Sequence, residues 1–111
     1  MFPDFLEVEL TDADITNGRP LLSWACPFAL AIKRHYPEVR DVTVCLGAKQ
    51  FTRLQSDNDY RDYDPSPAVL DFIRYFDRLK TTEGRKCFAA TQVVRRYTFT
   101  ASPQKGAPNV S

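Results

Sequence analysis

Residues 26–54 read CPFALAIKRHYPEVRDVTVCLGAKQFTRL, and the order of local signals in this stretch sets the architecture. Pro27 suits the first position of a helix, where its missing N–H costs nothing and its fixed φ is already helical. At 100° per residue Phe28, Ala31, Ile32, His35 and Tyr36 gather on one side, with Lys33 and Arg34 opposite, so the run Pro27 to Tyr36 predicts a helix that Pro37 ends. Leu30 lies off that stripe, which suggests contacts on more than one side. The period then changes from 3.6 to 2: Val42, Val44 and Leu46 alternate with Thr43 and Cys45 in a β-branched strand. Gln50 to Leu54 offers a second strand, and Gly47-Ala48-Lys49 is short enough to join the two as a hairpin.

The same devices recur on both sides of this stretch. Phe5 to Leu10, FLEVEL, alternates Leu6, Val8 and Leu10 with Glu7 and Glu9, which predicts a strand with one buried and one acidic face. Thr11 to Arg19 reads as a loop with Asn17-Gly18 ahead of Pro20, and Leu21 to Ala25 is either an approach segment or an early helical turn. Gln55 to Asp64, QSDNDYRDYD, reads as a polar surface loop. Ser66 and Pro67 then open a second helix, with Val69, Phe72, Ile73, Phe76 and Leu79 on its apolar stripe. Thr81 to Lys86 reads as a turn, Gln92 to Ala101 as a closing strand, and Ser102 onward as a flexible tail.

The resulting order, β-α-β-β-α-β, predicts an α+β fold: a ferredoxin-like or related antiparallel sheet with two helices on one face. A bent sheet with another strand order would use the same segments. At 111 residues the chain fits one domain, residues 1–101, followed by the tail 102–111. The balance of 43% hydrophobic and 26% charged residues is that of a folding chain rather than a disordered one.

A formal net charge of +1 argues against a protein whose main task is to neutralise phosphates. The charge is unevenly spread. Residues 1–14 carry five acidic and no basic side chains, whereas residues 74–105 carry eight basic against two acidic. Three cysteines, Cys26, Cys45 and Cys87, cannot all pair within one chain, the first residues do not read as a secretory signal, and no run approaches the ~20 apolar residues of a membrane span. A cytoplasmic setting with reduced thiols is expected, without a membrane partner.

Catalytic patterns are missing: there is no GxxxxGK[ST], GxGxxG, HExxH or GxSxG. With one histidine and no CxxC pair, neither a metal nor another cofactor is expected. Asp57, Asp59, Asp62 and Asp64 hint at calcium, but an EF-hand loop starting at Asp57 would need glycine where Asp62 stands and glutamate where Ala68 stands. A thiol enzyme would have to use Cys26, its pKa lowered by a helix start, with His35 as base; a packing cysteine and a boundary histidine are the plainer reading. Carboxylates and tyrosines in the predicted loop, Asp57, Asp59, Tyr60, Asp62 and Tyr63, form the candidate contact set for a basic protein partner. Arg85, Lys86, Arg95 and Arg96, near the aromatic Tyr97 and Phe99, form the alternative set for a nucleic acid.

The segments Asp14-Ile15-Thr16-Asn17-Gly18, CPFALAI at 26–32, the VTV strand and FIRYFD at 72–77 resemble a pattern in small uncharacterised proteins of bacteriophages and their bacterial hosts. The resemblance spans residues 14–79 and carries no catalytic residues. It implies a context, small phage proteins that bind a host protein, components of defence systems included. With the missing catalytic patterns, the expectation is a non-enzymatic interaction protein of phage or mobile-element origin that binds a host protein complex such as a defence system, inhibition being one outcome of that binding. The setting it implies is the cytoplasm of the bacterial host.

Overall fold

The computed structural model describes residues 2–46 and 50–102 and contains a five-stranded antiparallel sheet with four helices. The strands are β1 (Phe5–Glu9), β2 (Asp41–Leu46), β3 (Gln50–Gln55), β4 (Tyr60–Pro65) and β5 (Arg96–Ala101). The helices are α1 (Asp12–Asn17) and α2 (Pro27–His35) between β1 and β2, and α3 (Pro67–Phe76) and α4 (Thr82–Thr91) between β4 and β5. The sheet order is β1-β5-β4-β3-β2, so β1 and β2 form opposite edges and the α1–α2 crossover passes over the whole sheet. The expected α+β class and antiparallel sheet are present, while the β-α-β-β-α-β order is replaced by one more strand and two more helices.

Three segments account for the difference. The stretch read as the loop Thr11–Arg19 contains α1, because Thr11 and Asp14 form a reciprocal capping box: Asp14 N–H donates to Thr11 Oγ1 at 3.1 Å and Thr11 N–H to Asp14 Oδ2 at 2.9 Å. The polar run Gln55–Asp64 is a loop only at residues 56–59. Beyond it lies β4, held between β3 and β5. The expected turn Thr81–Lys86 is the first part of α4, opened by Thr81, whose hydroxyl accepts Gly84 N–H at 3.0 Å. The closing strand is correspondingly shorter, starting at Arg96. The β2–β3 antiparallel pairing is as expected, but its turn, Gly47-Ala48-Lys49, lies outside the described residues, as does the tail beyond Ser102.

Alternation divides the sheet into two unlike faces. Leu6 and Val8 of β1, Val42 and Val44 of β2, Leu54 of β3, Tyr63 of β4 and Tyr97 and Phe99 of β5 are buried beneath the helices. Helix α2 packs on β1 and β2, α3 on β4 and β5, and α1 and α4 on each other. Phe28 of α2 sits at the centre of this layer, edge-on to Tyr97 at 5.0 Å, Phe72 at 5.2 Å and Phe99 at 5.9 Å between ring centroids. Gly18 ends α1 where no larger residue fits: an added Cβ would lie 2.7 Å from the Pro27 ring and 2.8 Å from Asp14 O. No helix among the described residues is long and apolar enough to cross a membrane.

Both sheet edges are partly capped by the chain itself. At the β1 edge His35 Nε2 accepts Glu9 N–H at 3.2 Å and Arg34 donates to Glu9 O at 3.0 Å. At the β2 edge Val44 N–H donates to Ser23 O at 2.8 Å. Such contacts block the strand pairing that exposed edges invite.

Candidate partner interface

The face of the sheet away from the helices carries no secondary structure over it among the described residues. Strand register places Thr43, Arg53 and Asp62 in one row, Phe5, Thr100 and Asp64 in another, and Glu7 opposite Thr98 and Glu9 opposite Arg96. Near the β3–β4 hairpin the Arg53 guanidinium binds Asp62 with both arms, Nε to Oδ1 at 2.7 Å and Nη2 to Oδ2 at 3.0 Å. The same guanidinium lies 4.1 Å from the Tyr60 ring centroid and 5.3 Å from that of Phe51. The hydrogen-bonded Asp62 carboxylate pushes the Arg53 pKa further above its ordinary range, with Tyr60 adding a smaller effect. Tyr60 and Phe5 remain about half exposed, at 52% and 50%. Asp41 and Asp64 stand on the same face beside this cluster, and Glu7, Glu9 and Arg96 lie toward its far end, so the face as a whole sets five carboxylates against the two guanidinium groups of Arg53 and Arg96.

The expected contact residues separate in space. Asp57 and Asp59 occupy the β3–β4 turn, where Asp57 accepts Arg40 at 2.9 Å and Asp59 accepts the Tyr60 N–H at 2.8 Å. Tyr60 and Asp62 follow on the open face and are continuous with that turn. Tyr63 is a correction: it is fully buried beneath the helices, donates its hydroxyl to Pro3 O at 2.5 Å, and cannot meet a partner. Burial pushes its phenol up to about 12. Strand parity is the reason, since Tyr63 follows Asp62 and so points through the sheet. Arg53 and Phe51 are not legible in the sequence because their place depends on β4 being a strand: once Asp62 lies opposite Arg53, the parity of β3 puts Phe51 and Arg53 on this face, which Phe5 shares with Glu7 and Glu9.

The basic set is dispersed. Arg95 is engaged inside the molecule, donating to Asp12 Oδ1 at 2.7 Å, Ala89 O at 2.7 Å and Gln92 O at 3.1 Å. Arg85 ties α4 to α1 through Thr16 O at 3.2 Å. Lys86 is exposed on α4, whereas Arg96 lies on the open sheet face opposite Glu9. No single surface brings the four together.

Cys26 caps α2, its Sγ accepting Ala29 N–H at 3.4 Å. The expectation of a lowered thiol pKa is overturned, because burial outweighs the hydrogen bonds of the helix start and pushes it up to about 11. His35 stands at the other end of the same helix, about 13 Å away at 1.5 Å per residue, and its Nε2 is occupied by Glu9 N–H. The two do not form a nucleophile and base. Among the described residues no three His, Cys, Asp or Glu side chains come together to hold a metal ion. No protein-family model matches the chain, and neither a curated protein nor a solved structure shows significant similarity to it.

Proposed function

We propose that the protein is a non-enzymatic interaction module that docks a basic surface of a protein partner on the open face of its sheet. The observation that carries this reading is the cluster of Phe51, Arg53, Tyr60 and Asp62 at the β3–β4 hairpin end of an uncovered acidic face. Half-exposed aromatic rings supply contact area at low cost in side-chain entropy, and the bidentate Asp62 fixes Arg53 so that it is already ordered before a partner arrives. Asp57 and Asp59 extend the acidic surface beyond the sheet at the hairpin turn. In the phage setting that the sequence resemblance implies, the partner is a host protein and binding inhibits the complex to which it belongs. The nucleic-acid alternative draws less support, since Arg85 and Arg95 are engaged within the fold and the aromatic face is acidic.

Site-specific photo-crosslinking tests the proposal. A photoreactive residue in place of Tyr60 is expected to give a discrete adduct with one host protein, and the same residue in place of the exposed Ala13 on α1 is expected to give none. Asp41→Lys and Asp64→Lys, both exposed on the same face near Tyr60, should abolish the Tyr60 adduct. Absence of any adduct at position 60, or an adduct with nucleic acid, overturns the reading.

A further inference from the structure

A second surface, on the helix-covered side of the sheet, has a chemistry of its own. Between α3, α4 and the start of β5 runs an open groove of about 560 Å³, within the range that holds a ligand or a large side chain. Its walls are aromatic. Tyr75 and Phe88 stack at 4.9 Å with an interplanar angle of 16°, and Phe72 backs Phe88 at 5.0 Å. Tyr75 nevertheless stays 55% exposed, and Val94, at the groove's end, 60%.

The polar groups lining the groove offer mostly acceptors. Thr91 Oγ1 donates to Phe88 O at 2.8 Å, Tyr97 O–H donates to Val94 O at 3.2 Å, and the Gln92 amide donates to Phe88 O at 3.4 Å. Their donors are engaged within the chain, the Gln92 amide reaching Thr91 Oγ1 as well at 3.3 Å, so the side-chain oxygens of Gln92 and Tyr97 are the acceptors left uncommitted. Asp71 adds a carboxylate whose one ion pair, to Arg74, is 3.7 Å long with both side chains mostly in solvent. A pair of that kind is weak and readily exchanged. Acceptors, a carboxylate and the faces of stacked rings complement a flat cation rich in donors. Guanidinium meets that description better than ammonium, because it is planar, less tightly hydrated and stacks on rings.

We infer that the α3–α4 groove is a docking site for an arginine side chain presented by an apolar stretch of a partner protein. The arginine lies over the exposed face of Tyr75, whose other face stacks on Phe88, with its guanidinium at Asp71, and an apolar neighbour in its sequence rests on Val94. The site is on the opposite side of the sheet from the proposed acidic interface and does not depend on it.

The test uses a blocked peptide, acetyl-Ala-Leu-Arg-Leu-Ala-amide, and its citrulline counterpart, titrated into the isotope-labelled full chain and followed by NMR. The arginine peptide is expected to shift the amides of Phe88, Thr91, Gln92 and Val94, with affinity about fivefold above that of the uncharged citrulline peptide. Asp71→Asn, at an exposed position that leaves the fold intact, should remove that preference. The proposal is overturned if the groove signals stay still at millimolar peptide, if arginine and citrulline peptides bind equally, if Asp71→Asn changes nothing, or if free arginine binds as tightly as the peptide.

Discussion

Arg34 Nη2 donates to Asp14 Oδ2 at 2.5 Å across twenty residues of sequence, and Asp14 is the one charged side chain buried among the described residues. The same carboxylate oxygen accepts Thr11 N–H, and Arg34 also reaches Glu9 O. One guanidinium thus ties the end of β1, the start of α1 and the last turn of α2. Arg34→Ala leaves a buried carboxylate without its cation and should cost about 2 kcal/mol, because losing one partner exposes the desolvation penalty of the other. Urea unfolding should show the midpoint fall, and adding Asp14→Asn to Arg34→Ala should recover part of the loss. A pair of losses that simply add would mean the two residues act independently.

Thr52 makes the opposite case. It is fully buried between Val44 and Tyr63, and its hydroxyl has no hydrogen-bond partner among the described residues. Thr52→Val keeps the shape and removes an unmet polar group, so it should stabilise the fold by about 1 kcal/mol. A lowered urea midpoint would show that the hydroxyl is satisfied.

Alkaline pH should weaken the protein in a defined order. The Cys26 thiol is raised from its ordinary 9.0 to about 11, chiefly by burial, and the Tyr63 phenol from 10.0 to about 12 for the same reason. Both groups hold their protons more tightly folded than unfolded. The stability they contribute is therefore complete below the unfolded values and is lost as pH rises through the folded ones. Loss should begin near pH 9, and Cys26→Ser, which keeps the helix cap, should delay its onset toward pH 10. Thiol labelling at pH 8 should run in the order of exposure, with Cys87 first, Cys45 next and Cys26 last. Rapid labelling of Cys26 in the folded chain would contradict this.

Gly18 tests the packing of α1 against α2. Gly18→Ala places a methyl group within 3 Å of both the Pro27 ring and a backbone carbonyl, neither of which can rotate away. The expected loss is about 1–3 kcal/mol, read as a lower urea midpoint with unchanged slope. An unchanged midpoint would show that the two helices can part at no cost.

The elements legible in the sequence are those whose burial pattern is local. Helices α2 and α3 are marked by Pro27 and Pro67 and by an apolar stripe, β1 and β2 by alternation, and β3 by its place across a short turn from β2. Strand β4 was hidden because YRDYDP buries only Tyr63 completely and satisfies its polar side chains through partners distant in sequence, such as Arg53 and Ser102. Helix α4 buries only Ala89 fully, which leaves no stripe to read. The place of β5 between β1 and β4 rests on pairs such as Leu6 with Phe99, whose separation in the chain no local pattern encodes. The candidate interface was half visible for the same reason: Tyr60 and Asp62 could be named, but Arg53 could not be joined to them.

Stability and binding should therefore depend on different faces of the sheet. Phe28, with three aromatic neighbours and no exposure, belongs to the covered face, and Phe28→Ala should cost about 3–5 kcal/mol. Tyr60 is half exposed and its main contact is the Arg53 guanidinium, so Tyr60→Ala should cost only about 0.5–1 kcal/mol. Arg53 stays held by Asp62 in that variant, which preserves the strand pairing. If the open face is where the partner docks, Tyr60→Ala should leave the thermal midpoint nearly unchanged and weaken partner capture at least tenfold, the effect of losing a central aromatic anchor of about 1.4 kcal/mol or more. Capture that survives Tyr60→Ala at full strength would remove the open face from consideration, whatever the stability measurement shows.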